Sequence, residues 1–189
     1  MSTKQTNIDL FNYSRRNTVD VNVGGVSIGC SRPIRVQSMT NTSTMDTEGS
    51  VEQVMRIVDK GGDIVRLTTQ GNREAVNLGS IKEQLRLRGC NVPLVADVHF
   101  NAAVADTAAK YADKVRVNPG NYVDSARTFK HIDYTDEEYA AELERLRTRF
   151  VAFLNICKAE SKAVRVGVNH GSLSDRIMSR YGDTPSGVV

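Results

Sequence analysis

The sequence has few cysteines, no membrane-length apolar run and no cluster of Lys and Arg that would mark a basic patch. Its three cysteines, Cys30, Cys90 and Cys157, are widely spaced and form no CxxC pair. This spacing fits neither a disulfide framework nor a local metal site, so we expect reduced structural thiols and no metal ligands in this segment. No apolar run approaches the roughly 18 residues of a membrane-spanning helix. The net charge of +3 is dispersed, which gives no reason to expect nucleic acid or a membrane as partner.

The first 18 residues form a polar leader that lacks the apolar core of a secretion signal. A cytoplasmic protein is therefore the default expectation. We interpret residues 19–189 as one unit, part of a larger domain.

One short pattern recurs along this unit: an apolar residue, an arginine, a second apolar residue, then a small or polar residue. Each copy has the length and the period-two alternation of a β-strand. The copies are Ile34-Arg35-Val36-Gln37, Val65-Arg66-Leu67-Thr68, Val115-Arg116-Val117-Asn118 and Val164-Arg165-Val166-Gly167, with Leu94-Val95-Ala96-Asp97-Val98-His99 as a variant.

Strands and helices alternate regularly after an initial hairpin. The hairpin spans residues 19–28 around Gly24-Gly25, and strands are expected at 34–39, 64–68, 94–98, 115–118 and 164–169. Helices are expected at about 50–60, 73–87, 102–111 and 136–160, with a last helix toward Tyr181. The alternation predicts an α/β fold with a parallel sheet covered by helices.

Two architectures fit this alternation, a (β/α)8 barrel and an open doubly wound sheet. No GxGxxG follows the first strand, which weakens a dinucleotide-binding interpretation. Four units occupy the 130 residues from Arg35 to Arg165, close to the spacing of a barrel with ~250 residues in eight units. We therefore favour a TIM barrel, of which about the first five βα units are present.

The arginines of the strands predict an anionic ligand. In a barrel, their apolar neighbours face the helices, so Arg66, Arg116 and Arg165 face the interior near the C-terminal mouth. A solvent-facing sheet would also tolerate arginines, but a helix-covered parallel sheet has no such face. Pairing with Asp97 is a second alternative, although one carboxylate cannot neutralise three guanidinium groups. Phosphate or diphosphate suits several guanidinium forks, whereas Arg35 is earliest in its strand and is interpreted as structural.

Asp97 and His99 lie two residues apart on the same face of one strand. A metal site would need a third ligand, so hydrogen bonding to a substrate hydroxyl or phosphate is the favoured role. His131 has no evident partner and is expected in solvent. Asn121 follows a Pro-Gly turn, where asparagine is frequent for backbone reasons, so its role stays open between turn and site.

Five motifs occur in register along the chain. They are Gln37-Ser38-Met39-Thr40-Asn41-Thr42, Gly62-Asp63-Ile64-Val65-Arg66, Ala96-Asp97-Val98-His99-Phe100, Val115-Arg116-Val117-Asn118-Pro119-Gly120-Asn121 and Arg165-Val166-Gly167-Val168-Asn169-His170-Gly171-Ser172-Leu173. Together they resemble one enzyme family, the 4-hydroxy-3-methylbut-2-enyl diphosphate synthases, which are reductive iron–sulfur enzymes of the non-mevalonate isoprenoid pathway. The similarity covers almost everything from Tyr13 onward.

The resemblance implies a TIM-barrel domain that binds 2-C-methyl-D-erythritol 2,4-cyclodiphosphate. It also implies a separate C-terminal domain with a [4Fe-4S] cluster, a homodimer, and ferredoxin or flavodoxin as electron donor. By motif match, Arg66, Arg116, Arg165 and Asn169 would hold the diphosphate, and Asp97, His99, Asn118 and Asn121 would shape the pocket. The long stretch between Asn121 and Ala163 resembles the larger plant-type form.

The family's cluster ligands and catalytic acid are expected beyond residue 189, since the three cysteines lack cluster spacing. We therefore expect this segment to bind substrate without turning it over. The alternatives are a non-redox phosphate-binding barrel of the pterin-condensing type and a non-catalytic binding fragment.

Overall fold

Five parallel strands follow one another in chain order across a single sheet. The computed structural model describes residues 17–29, 32–99, 101–124, 130–168, 170–182 and 184–188. A hairpin of β1 (Val21–Val23) and β2 (Val26–Ile28) precedes the sheet strands, which are β3 (Gln37–Met39), β4 (Ile64–Thr69), β5 (Leu94–Val98), β6 (Lys114–Val117) and β7 (Ala163–Val166). The helices are α1 (Thr47–Asp59), α2 (Asn72–Leu87), α3 (Ala102–Ala108), α4 (Asp136–Ala159), α5 (Asp175–Tyr181) and α6 (Pro185–Val188).

The outer face of the sheet forms the main core with the helices. Val65 and Leu67 of β4 and Val115 and Val117 of β6 are fully buried there, as the alternation of the strands predicts. Val166 of β7 is the exception, with 57% of its surface exposed. Val164 of the same strand is partly buried and packs against the main core.

The hairpin closes the N-terminal end of the sheet's inner face. Val23 is fully buried against Ile64, Val95 and Ala163, one residue from each of β4, β5 and β7. We call these four residues the apolar floor. Both glycines of the turn between β1 and β2 have positive φ, so the Gly-Gly prediction is confirmed.

The first and last sheet strands are shorter than the sequence predicts. The predicted strand 34–39 is reduced to Gln37–Met39, because the backbone N–H of Val36 donates to the Asp63 carboxylate (2.8 Å). Arg35 donates through Nε to the Ser27 carbonyl (3.2 Å) and so ties the chain to the hairpin. The predicted strand 164–169 ends at Val166.

Candidate anion-binding site

One row of polar side chains crosses four neighbouring strands on the inner face. The strand register places Thr68 beside Asp97, Asp97 beside Arg116, and Arg116 beside Arg165. Arg66 lies one row nearer the floor on β4, beside Val95. The three arginines predicted to act together are therefore brought to one face, as the alternation implied.

Asp97 is the shared acceptor of this cluster. Its Oδ2 accepts from the Arg66 guanidinium and from His99 Nε2 (3.1 Å), and its Oδ1 accepts from Arg116 Nη1 (3.3 Å). Only 2% of the Asp97 side chain is exposed. The carboxylate thus pairs with two of the three arginines and leaves the cluster with excess positive charge.

The pKa of Asp97 lies below its ordinary value despite its burial. Burial by itself raises the pKa, but the hydrogen bonds and positive charges of Arg66 and His99 outweigh that effect. Asp97 is therefore ionised at neutral pH, and its carboxylate orients the guanidinium groups of Arg66 and Arg116.

Arg116 braces the sheet between β5 and β7. Its Nη1 donates to Asp97, and its Nη2 donates to the carbonyl of Gly167 (2.7 Å). The guanidinium is held at both termini and is 9% exposed. Its position is consequently fixed before any ligand binds, which lowers the entropic cost of binding.

Gly167 leaves the space that Arg116 occupies. A Cβ at this position would overlap Arg116 Nε and lie 3.3 Å from its Cγ and Cζ. We expect Gly167→Ala to displace the guanidinium and weaken anion binding about tenfold, the effect of one misplaced charge-assisted hydrogen bond, without a change in net charge. Phosphate-dependent thermal stabilisation of the full-length protein measures this. Gly71→Ala is the matched control, since nothing lies within 4 Å of its added Cβ; equal stabilisation of both variants would contradict the expectation.

Arg66 and Arg165 keep donors available for a ligand. Arg165 is exposed and has no ion pair with any residue of the described ranges. Arg66 is partly exposed, and its buried Nε has no hydrogen-bond partner in the described part of the chain. A polyanion at the mouth would satisfy both groups.

Asn118 and Asn121 direct their amides toward the turn that follows β7. Asn118 Nδ2 donates to Ser172 Oγ (3.0 Å), and its Oδ1 accepts from Gly120 N (3.0 Å). Asn121 Nδ2 donates to the Ser172 carbonyl (2.9 Å). Both asparagines are therefore placed to hold the loops after β6 and β7 together at the mouth.

One predicted site residue, Asn169, falls outside the described residues. The expectation that His131 lies in solvent is confirmed, although it has a partner, the exposed carboxylate of Asp133 (2.9 Å).

The described residues do not fit an iron–sulfur cluster. They contain no group of three or more His, Cys, Asp or Glu side chains that could hold a metal ion. Cys90 and Cys157 are buried free thiols, and burial raises the pKa of Cys157 to about 11, which disfavours the thiolate that a metal needs. Cys30 lies outside the described residues.

The sequence analysis missed Lys114 as a member of this face. Its position two residues before Arg116 is the signal that could have identified it, because alternate residues of a strand share a face. The contact between Gly167 and Arg116 could not be predicted, because it depends on the pairing of β6 with β7.

Fold and site together define a helix-covered parallel-sheet domain with a cationic inner face at the carboxyl ends of its strands. Comparison with known protein families identifies the family of this domain. The chain belongs to the GcpE TIM-barrel domain family, which it matches over residues 18–189.

Curated relatives are similar over nearly the whole chain. A Bacteroides thetaiotaomicron protein named 4-hydroxy-3-methylbut-2-en-1-yl diphosphate synthase (flavodoxin) is 68% identical over 182 residues, which is 96% of this chain and 30% of that protein. An Arabidopsis thaliana protein named as the ferredoxin-dependent, chloroplastic synthase is 51% identical over 175 residues, 93% of this chain and 24% of that protein. The chain thus spans less than a third of the curated relatives it matches.

Among solved structures, a Burkholderia cenocepacia dihydropteroate synthase is similar in fold. Its TM-score is 0.51 at 17% identity, over 92% of this chain and 75% of that one. At this identity the likeness concerns the fold alone. No helix within the described ranges is long and apolar enough to cross a membrane.

Proposed function

We propose that this chain is the substrate-binding barrel portion of a reductive synthase that makes 4-hydroxy-3-methylbut-2-enyl diphosphate. The substrate would be 2-C-methyl-D-erythritol 2,4-cyclodiphosphate. In the overall reaction, two electrons and two protons open the cyclic diphosphate and release one oxygen as water. The barrel's part is to bind the two phosphates and to stabilise the charge that develops on them.

One observation carries this proposal: the row that joins Asp97, Arg116 and Arg165, with Arg66 beside it. Three guanidinium groups lie on this face near the carboxyl ends of parallel strands, where barrel enzymes place their sites. Asp97 pairs with Arg66 and Arg116 but not with Arg165. The relatives at 68% and 51% identity are named for a diphosphate product, which agrees in chemistry with this surplus of cations.

These arginines would stabilise the diphosphate oxygen whose bond to carbon is broken in the reaction. When the ring's C–O bond breaks, that oxygen keeps the bonding electron pair and gains negative charge. Donors that are already aimed at it stabilise the charge without reorganisation. Arg116, fixed between Asp97 and Gly167, is the donor best prepared for this role.

The electrons would enter through groups outside the described residues. A [4Fe-4S] cluster and its ligands are assigned to the rest of the protein, because the described residues do not fit them. The catalytic acid is assigned there from the resemblance. Flavodoxin or ferredoxin as donor is proposed from the names of the relatives. A homodimer and the plant-type form are proposals from the resemblance. A cytoplasmic location and the division at residue 18 are proposals from the polar composition of the first 18 residues.

Arg165→Ala tests the binding role with little structural disturbance. Arg165 is exposed and has no ion pair in the described part of the chain, so we expect the melting temperature to stay nearly unchanged. We expect the affinity of the full-length protein for the cyclic diphosphate to fall about tenfold in a calorimetric titration.

Arg147→Ala is the matched control for the loss of one positive charge. Arg147 is on α4, its side chain is 75% exposed, and its ion pair is with Glu144 on the same helix. We expect this variant to bind like wild type. Wild-type affinity in Arg165→Ala, or no binding by the wild-type protein, would refute the proposal.

A further inference from the structure

Lys114 is a buried lysine that the site described above does not use. It begins β6 and faces the interior, two residues before Arg116. Its neighbours in register are Val95 of β5 and Ala163 of β7, both members of the apolar floor. Lys114 therefore lies at the level of the apolar floor, one row below Asp97, Arg116 and Arg165.

The ammonium group of Lys114 is poorly satisfied. The residue is only 7% exposed. Its one hydrogen bond in the described ranges crosses the inner face to Gln37 Oε1 of β3, at 3.3 Å. An ammonium carries three donors, and no carboxylate of the described residues lies within ion-pair distance of it.

The charges around Lys114 are mostly positive. Arg66 faces it from β4, Arg165 from β7, and Arg116 from its own strand. Asp97 is the one carboxylate that the described residues place beside these arginines, and it already accepts from Arg66, Arg116 and His99. Burial, followed by the positive charges of Arg165 and Arg66, lowers the pKa of Lys114 below its usual 10.5.

We propose that Lys114 is a fourth cationic donor of the anion site and binds the innermost phosphate oxygen of a diphosphate, beneath the arginines. The inference rests on the proposed function and adds a contact to it. A phosphate placed between Lys114, Arg66 and Arg165 would supply the negative charge that this part of the inner face lacks. It would also give the unused ammonium donors an acceptor.

Proton linkage follows from this placement. A bound anion favours the charged form of Lys114, so the pKa rises on binding and the protonated protein binds more tightly. We therefore expect anion affinity to fall as the pH rises through the alkaline range below 10.5. The other charged groups on this face are Arg66 on β4, Asp97 on β5, Arg116 on β6 and Arg165 on β7.

The test uses Lys114→Met and Lys114→Arg in the full-length protein, titrated with 2-C-methyl-D-erythritol 2,4-cyclodiphosphate. Methionine keeps the length of the side chain without its charge, and we expect a loss of affinity of about 10- to 100-fold near neutral pH. Arginine keeps the charge but cannot lose its proton, so we expect the alkaline fall in affinity to disappear. Lys110→Met, an exposed lysine that follows α3, is the matched control and should bind like wild type.

Wild-type affinity in Lys114→Met contradicts the inference. So does a lower melting temperature with unchanged affinity, since that would show pairing with a carboxylate of the protein. If Lys114→Met does not fold, the wild-type pH series decides, and constant affinity up to about pH 10 contradicts the inference. If Arg165→Ala binds weakly while Lys114→Met binds like wild type, only the inference about Lys114 is overturned. If the wild-type protein does not bind the cyclic diphosphate at all, the proposed function is overturned.

Discussion

Replacing Arg116 by alanine is expected to lower the affinity for the cyclic diphosphate about 100-fold or more. The substitution removes a buried donor and leaves the Asp97 carboxylate with less positive charge beside the incoming anion. Truncating one partner of a buried charge pair costs about 2–5 kcal/mol, and each 1.4 kcal/mol is a factor of ten in affinity. Calorimetric titration of the full-length protein measures the loss.

Arg116→Lys separates charge from geometry at the same position. A lysine keeps the positive charge but lacks the planar fork that reaches Asp97 and Gly167 together. We expect its affinity to lie between those of wild type and Arg116→Ala. If the affinity of Arg116→Ala for the cyclic diphosphate is within about twofold of wild type, and that of Arg147→Ala is also normal, Arg116 does not contribute to binding.

Asp97→Ala is expected to destabilise the fold by about 3–5 kcal/mol, because it leaves the buried Arg116 and the partly exposed Arg66 without their shared acceptor. Urea unfolding of the full-length protein, followed through the barrel domain, measures the difference. Asp133→Ala, whose side chain is 94% exposed, is the matched control and should change stability little.

The difference in unfolding free energy between wild type and Asp97→Ala should depend on pH only in the acid range. The folded pKa of Asp97 is lowered, so its stabilising contribution is complete above the unfolded value near 3.8 and is lost as the pH falls through the folded value. We therefore expect the gap between wild type and Asp97→Ala to be equal at about pH 5 and pH 7 and to narrow only below about 3.8. A gap that shrinks between pH 7 and pH 5 would show that the pKa of Asp97 is raised instead.

The order of strands and helices could be predicted because each inner-face arginine stands between two outward apolar residues. Val65 and Leu67 around Arg66, and Val115 and Val117 around Arg116, pack against helices as that alternation requires. The first strand of the sheet, β3, was predicted too long. Its apolar residues do not reveal that the Asp63 carboxylate accepts a hydrogen bond from the backbone N–H of Val36.

The contacts within the site depend on register, which no local pattern contains. Alternation places Asp97, Arg116 and Arg165 on one face, but only the pairing of the strands shows that they lie side by side. The same pairing brings Gly167 against Arg116. The amides of Asn118 and Asn121 reach Ser172 across more than 50 residues of chain, a contact that a motif cannot predict.

The structure of the full-length protein with bound 2-C-methyl-D-erythritol 2,4-cyclodiphosphate tests the central claim most directly. We expect phosphate oxygens within hydrogen-bonding distance of Arg66, Arg116 and Arg165, on the inner face above the apolar floor. A complex in which the diphosphate lies away from this face, with the three guanidinium groups contacting only protein and water, would contradict the account.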